Sequence, residues 1–161
     1  MYIVCIETLT KILSIMKKII LVAALLLGFA AAAAAQPRAV GVRFGYGVEA
    51  TYQHTVGSAN FVEANLGLND FTILNVAATY NWMLAKPQWT DRGEWGVYAG
   101  AGAAVGLHKS LYVGVAGQAG LEYTFWFPLQ LSVDIRPQLG LVNSTFGVWG
   151  WCPYLAARYR F

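Results

Sequence analysis

Residues 129–141 read LQLSVDIRPQLGL, and their order decides the fold class. Leu129, Leu131, Val133, Ile135, Leu139 and Leu141 fall on one face together with Pro137. Gln130, Ser132, Asp134, Arg136, Gln138 and Gly140 fall on the other. A strand sends successive side chains to opposite faces, while a helix returns to a face every 3.6 residues or so. Only a strand sorts this stretch into an apolar and a polar side.

The same period of two runs outward in both directions. Downstream, Leu155, Ala157, Tyr159 and Phe161 alternate with Tyr154, Ala156, Arg158 and Arg160. Upstream, Leu111, Val113, Val115, Ala119, Leu121, Tyr123 and Phe125 oppose Tyr112, Gly114, Ala116, Gln118, Gly120, Glu122 and Thr124. Trp95 to Leu107 alternates with small residues and Tyr98. Segments centred on Val76, Leu66, Ala50 and Val42 repeat the pattern, giving eight candidate strands between about residue 40 and the end. Turn-forming residues separate them: Gly45-Tyr46-Gly47, Gly57-Ser58-Ala59, Asn69-Asp70, Lys86 to Gly93, His108-Lys109-Ser110, Pro128, and Asn143 to Gly150. The connections are short and no linker interrupts them, so residues 36–161 read as one domain.

Alternation alone does not say which face meets water. The chain is 57% hydrophobic and only 12% charged, roughly half the charged share of a soluble domain. The polar face carries Arg43, Glu49, Glu63, Glu122, Asp134, Arg136, Arg158 and Arg160, while lysine past residue 36 is confined to Lys86 and Lys109, both in loops. Four acids and four arginines sharing one face predict a closed charge network in a barrel lumen, because an unpaired buried charge costs several kcal/mol. On the apolar face Tyr52, Tyr80, Trp82, Trp95, Tyr123 and Phe125, with Tyr159 and Phe161, gather toward one rim of an up-and-down meander. Phe44, Tyr46, Phe71, Trp149 and Trp151 gather toward the other. Two aromatic girdles around an aliphatic band predict a transmembrane barrel, in which a closed sheet leaves no backbone edge in lipid. Eight strands make a barrel narrow enough for side chains to fill.

Upstream of the strands, Met16-Lys17-Lys18, the apolar stretch from Ile19 and the alanine run to Ala35 follow the order of a secretory signal. Residues 1–35 are therefore read as a leader, with Met16 read as the true start. Of the eleven Lys and Arg, Lys11, Lys17 and Lys18 fall in it, and of the eight Asp and Glu, Glu7 does, so the remainder is nearly neutral. That balance offers no footprint for nucleic acid. Cys5 falls in the leader, which leaves Cys152 without a disulfide partner, and Cys152, His54 and His108 share no metal-ligand spacing. No cofactor is expected.

The leader, the eight alternating segments and the ending Tyr159-Arg160-Phe161 resemble the small outer-membrane β-barrel family, broadly of OmpA/OmpX type. Tyr52-Gln53-His54, Gly120-Leu121-Glu122-Tyr123 and Pro128 to Ser132 are similar to a widespread subgroup of it with no assigned activity. The resemblance implies an eight-stranded antiparallel barrel in a Gram-negative outer membrane, with both termini periplasmic. It also implies that Leu155, Ala157, Tyr159 and Phe161 form the signal read by the outer-membrane assembly machinery. Outer-membrane lipid and that machinery are the partners expected of a monomer with no catalytic activity, a structural component or a narrow, plugged pore. Two alternatives stand beside this. A lipid-modifying enzyme would use His108 with Ser110, with Asp70 as the only acid expected on the outer side. A binding barrel would use Phe146, Trp149 and Trp151 in the loop from Asn143 to Gly150.

Overall fold

The computed structural model describes residues 38–107, 111–142 and 145–161. The leader expected over residues 1–35, with Met16 and Cys5, and the His108/Ser110 pair lie outside the described residues. The ladder has ten segments: β1 (Arg38–Phe44), β2 (Gly47–Val56), β3 (Asn60–Asn69), β4 (Ile73–Ala85), β5 (Glu94–Leu107), β6 (Leu111–Thr124), β7 (Leu129–Ile135), β8 (Gln138–Val142), β9 (Thr145–Trp149) and β10 (Pro153–Arg160). Every pairing is antiparallel. The order is β5-β4-β3-β2-β1-β10-β7-β6-β8-β9, and an additional β5–β6 pairing joins the ends into a closed barrel.

Ten segments make eight walls, because two strands are interrupted. Between β7 and β8 lies Pro137, which has no N–H to give the ladder. The wall nevertheless runs straight on, since Gly117 N donates to Pro137 O at 2.9 Å and β6 keeps one register with both halves. Between β9 and β10 the cause is a bulge. Pro153 pairs with Ile135 and Trp149 with Gln138, so Gly150, Trp151 and Cys152 face only Arg136 and Pro137. Gly150 takes φ +77, and a Cβ there would run into the Arg136 carbonyl, so the bulge requires glycine.

The bulge corrects two expectations. Residues 145–149 form a strand, where the Gly- and Asn-bearing stretch from Asn143 to Gly150 had predicted a loop. The extra residue also reverses the alternation, so Trp149 shares the lumen side with its register partner Gln138. Its ring packs on Tyr112 at 4.6 Å and does not join an outer girdle.

Walking across register partners from Val40 through Tyr52, Ala64, Ala78, Ala103, Val115 and Leu139 arrives at Val148, whereas Val40 itself pairs with Tyr159. This stagger is the strand tilt a closed barrel demands. It places the start of β1 and the end of β10 at one rim, with the β2–β3, β4–β5 and β6–β7 connections. This end is the terminal rim.

The barrel is inside out. Among the described residues the buried apolar set is small: Ala39, Ala77, Ala104, Ala116, Ala156, Phe61, Tyr98, Tyr112 and Tyr154. Sixteen polar or charged residues are buried, while Leu66, Val76, Val113, Val115, Val133, Leu141 and Leu155 stand on the exposed outer face. A water-soluble barrel buries those two sets the other way round.

Candidate functional site

The lumen is lined by inward positions from every wall, and its charged groups come from β1, β2, β3, β7 and β10 and from Arg136 between β7 and β8. Arg43 and Glu49 are direct register partners on β1 and β2, and Arg43 Nη1 donates to Glu49 Oε2 at 2.8 Å. Arg43 Nη2 pairs with Asp134 of β7, and Arg43 Nε lies 3.8 Å from Glu63 Oε1. Arg136 Nη2 pairs with the second oxygen of Glu49, and Arg158 Nη2 donates to Glu63 Oε2 at 3.0 Å. Three arginines thus meet three carboxylates, all shielded from solvent, and the cluster is neutral as a unit. Charge-assisted bonds of this kind are about twice as strong as neutral ones, which offsets the desolvation of six charges only if the remaining donors and acceptors are also met.

Most of them are. Glu63 accepts from Gln53 Nε2 at 2.9 Å, Asn65 Nδ2 at 3.0 Å and Gln118 Nε2 at 3.2 Å. Gln118 Oε1 in turn accepts from Thr79 Oγ1 at 2.6 Å. Arg158 donates from Nε to Thr51 Oγ1 and from Nη1 to Ser132 Oγ, at 3.2 and 2.7 Å. Tyr98 OH donates to Asp134 Oδ2 at 3.2 Å, and the Tyr154 ring lies under the Arg43 guanidinium at 4.4 Å. The guanidinium over a ring face adds attraction where water is absent.

Glycine provides the room. A Cβ on Gly120 would strike the Tyr98 ring and the Asp134 side chain, and one on Gly67 would strike the Glu49 side chain and the Val48 carbonyl. Long side chains from one wall therefore lie flat on bare backbone of the next.

Of the eight residues expected in the charge network, six come together: Arg43, Glu49, Glu63, Asp134, Arg136 and Arg158. Glu122 and Arg160 do not join them by an ion pair. Glu122 instead accepts from Gln130 Nε2 at 2.8 Å. Arg160 is the last residue of β10, at the terminal rim. Sequence reasoning missed Tyr98 and Tyr154 as lumen residues. The signal was present in their parity, since each alternates with the apolar positions of its strand.

The terminal-rim aromatics form contiguous runs of tilted and edge-on contacts. Trp89, Trp95, Tyr123 and Phe125 follow one another at centroid distances of 5.3, 4.7 and 4.6 Å, and Tyr80 meets Trp82 at 5.2 Å. Tyr52 and Trp82 are exposed on the outer face. Leu155, Tyr159 and Phe161 are exposed on the outer side of the last strand, with Ala157 between them half-buried, and the Tyr159 and Phe161 rings stack at 6.4 Å.

Against known proteins, the fold has a counterpart. One solved structure, described as "De novo design of transmembrane beta-barrels", superposes with a TM-score of 0.52 at 18% sequence identity, covering 78% of this chain and 96% of that one. No protein-family model and no curated protein matches the chain. At that identity the likeness concerns the fold, which is an eight-stranded antiparallel β-barrel of the kind built to cross membranes.

Proposed function

We propose that the chain is an outer-membrane β-barrel protein of a Gram-negative envelope, exported by its N-terminal leader and monomeric in the bilayer. In this reading both termini face the periplasm and the lumen is closed by its own ion pairs. Its role is structural, without catalysis or cofactor. The carrying observation is the reversal of burial: arginine, glutamate and asparagine fill the interior while valine, leucine and most of the aromatics cover the outside. Such an outer surface is favourable against hydrocarbon and costly in water, at about 25 cal/mol per Å² of apolar area. The contiguous aromatics at the terminal rim support an interfacial girdle there.

The closed lumen follows from the network. Three guanidinium groups and three carboxylates reach across from β1, β2, β3, β7 and β10, together with the Arg136 position between β7 and β8, so an ion passing through would have to part them. The exposed outer positions Leu155, Tyr159 and Phe161, with Ala157, support recognition of the last strand by the outer-membrane assembly machinery.

Electrophoretic mobility with and without boiling, combined with planar-bilayer recording, tests the reading. Faster migration of the unboiled protein with no steady conductance is expected. Mobility indifferent to boiling would overturn the membrane barrel, and large steady channels from the unaltered chain would overturn the plug.

A further inference from the structure

At the terminal rim the barrel opens into a cavity of about 180 Å³ whose polar lining includes Arg38, Gln53, Glu122, Gln130 and Arg160. A single water needs only about 10–15 Å³ of such space, so the cavity has room for a solute of several heavy atoms. Gln53, one of its lining residues, is hydrogen-bonded to Glu63 of the ion-pair cluster, which ties this space to the plug.

Three of the lining residues carry groups that are incompletely used. Gln130 is almost fully buried, and its Nε2 donates to Glu122 Oε2. A carboxylate only accepts, which fixes the amide with its oxygen turned elsewhere. That oxygen, Oε1, is buried and without a partner. Arg38 Nη2 is likewise buried and unpartnered, and Arg160 enters no ion pair among the described residues. The other charges lining the cavity are Lys86 and Glu94, which pair with each other at 3.7 Å. Arg38 and Arg160 therefore stand against Glu122 alone, one positive charge in excess. Leaving a buried acceptor and a buried guanidinium nitrogen unmet costs about 1–3 kcal/mol each, more for the charged one.

We propose that this cavity binds a small solute carrying an anionic group, carboxylate or phosphate, beside an N–H or O–H donor. The anion meets Arg38 and Arg160, and the donor meets Gln130 Oε1 and Glu122. With the ion-pair plug beyond Gln53, the space is a binding pocket and not a stretch of a transport path.

Met83 lines the same cavity and is the one methionine after residue 16, which makes its methyl group a local reporter. The experiment titrates inorganic phosphate and L-glutamate, each with an anion and a donor, into detergent-solubilised protein labelled with ¹³C at the methionine methyls. The Met83 signal is assigned by Met83→Leu, and acetate, which lacks the donor, and sodium chloride serve as comparisons. A saturable shift with phosphate or glutamate, weaker with acetate, is expected. Arg38→Gln and Arg160→Gln should each weaken it about tenfold, the loss of one charge-assisted bond, while Arg92→Gln in the exposed β4–β5 loop leaves it unchanged. A response to phosphate alone assigns a phosphate-bearing ligand, and one to glutamate alone an amino-acid carboxylate. No shift at a concentration on the order of 100 mM, where even millimolar sites saturate, would overturn the site, as would a shift undiminished in Arg38→Gln/Arg160→Gln. Boiling-dependent mobility of the same samples reports separately on the barrel, so failure of the pocket and failure of the membrane reading are told apart.

Discussion

Arg43 and Asp134, 91 positions apart in the chain, pair over the strand that separates them, since β10 lies between β1 and β7. The contact spans the seam where the first and last strands meet, so it exists only once the barrel has closed. Glu49 holds the other arm of the same guanidinium. One side chain thus joins both sides of the seam.

Removing that side chain should therefore cost more than an average lumen substitution. Arg43→Met leaves Asp134 without its cation and Glu49 with Arg136 alone, and breaking one side of a buried pair costs about 3–5 kcal/mol. Urea unfolding in detergent micelles should show a loss of that size, and the same variant should give conductance steps absent from the unaltered chain. A loss below about 1 kcal/mol, the value of an exposed pair, would mean that water reaches the cluster.

The lipid-facing side makes the opposite demand. Val133 is exposed on the outer face of β7, and Val133→Arg should cost about 2–4 kcal/mol in a bilayer if that face meets hydrocarbon. Thr72→Arg, in the β3–β4 turn, should cost about 1 kcal/mol or less because it sits at a rim. Unfolding from lipid vesicles compares the two, and equal costs would contradict the membrane placement.

Much of this was legible in the sequence because each inference needed only parity. Alternation around Asp134 and Arg136 gave the strand, and the identity of the polar set gave its inward direction. The break came where parity itself changes. Nothing in the string from Asn143 to Gly150 distinguishes a polar turn from a strand ending in a glycine bulge, so Trp149 was placed on the wrong side. Glu122 and Arg160 failed for another reason. Parity reports the face of a side chain but not the partner it meets: Glu122 is taken by Gln130, and Arg160 is the last residue of β10, while Arg158 two positions earlier reaches Glu63.

Tyr98 and Gly120 test how tightly the interior is filled. They are register partners, and the Tyr98 ring occupies the space a Gly120 side chain would need. Gly120→Val should destabilise by about 1–3 kcal/mol through overpacking. Tyr98→Phe keeps the ring and removes only its bond to Asp134, for about 1 kcal/mol. Urea midpoints in one detergent rank the two. Tyr98→Phe proving the more damaging would show that the hydroxyl, not the packing, holds that wall.

Gly150 and Gly57 share a left-handed backbone, at φ +77 and +70, but differ in surroundings. Around Gly57 a Cβ meets open space, so Gly57→Ala should cost only the backbone strain of about 1 kcal/mol. At Gly150 it meets the Arg136 carbonyl, so Gly150→Ala must also shift the bulge. That shift moves Arg136, one of the three lumen arginines, and urea unfolding should show a cost about 1–3 kcal/mol larger than at Gly57. Equal losses at the two sites would mean that the bulge relaxes freely.

The end of the chain separates assembly from stability. Phe161 is exposed on the outer face, and its backbone makes two bonds to Arg38, with Phe161 N donating to Arg38 O at 2.9 Å and Arg38 N donating to Phe161 O at 3.3 Å. Phe161→Ala keeps both bonds and removes only the ring that stacks on Tyr159. Protein refolded from urea into detergent should therefore keep its boiling-dependent mobility, with a stability change within about 1 kcal/mol for an exposed ring. If the assembly machinery reads that ring, the same substitution made in cells should lower the fraction recovered in outer membranes several-fold and leave unfolded chain in the periplasm. Equal loss in both settings would make Phe161 a stability residue. Loss in neither would remove the assembly role from the last strand.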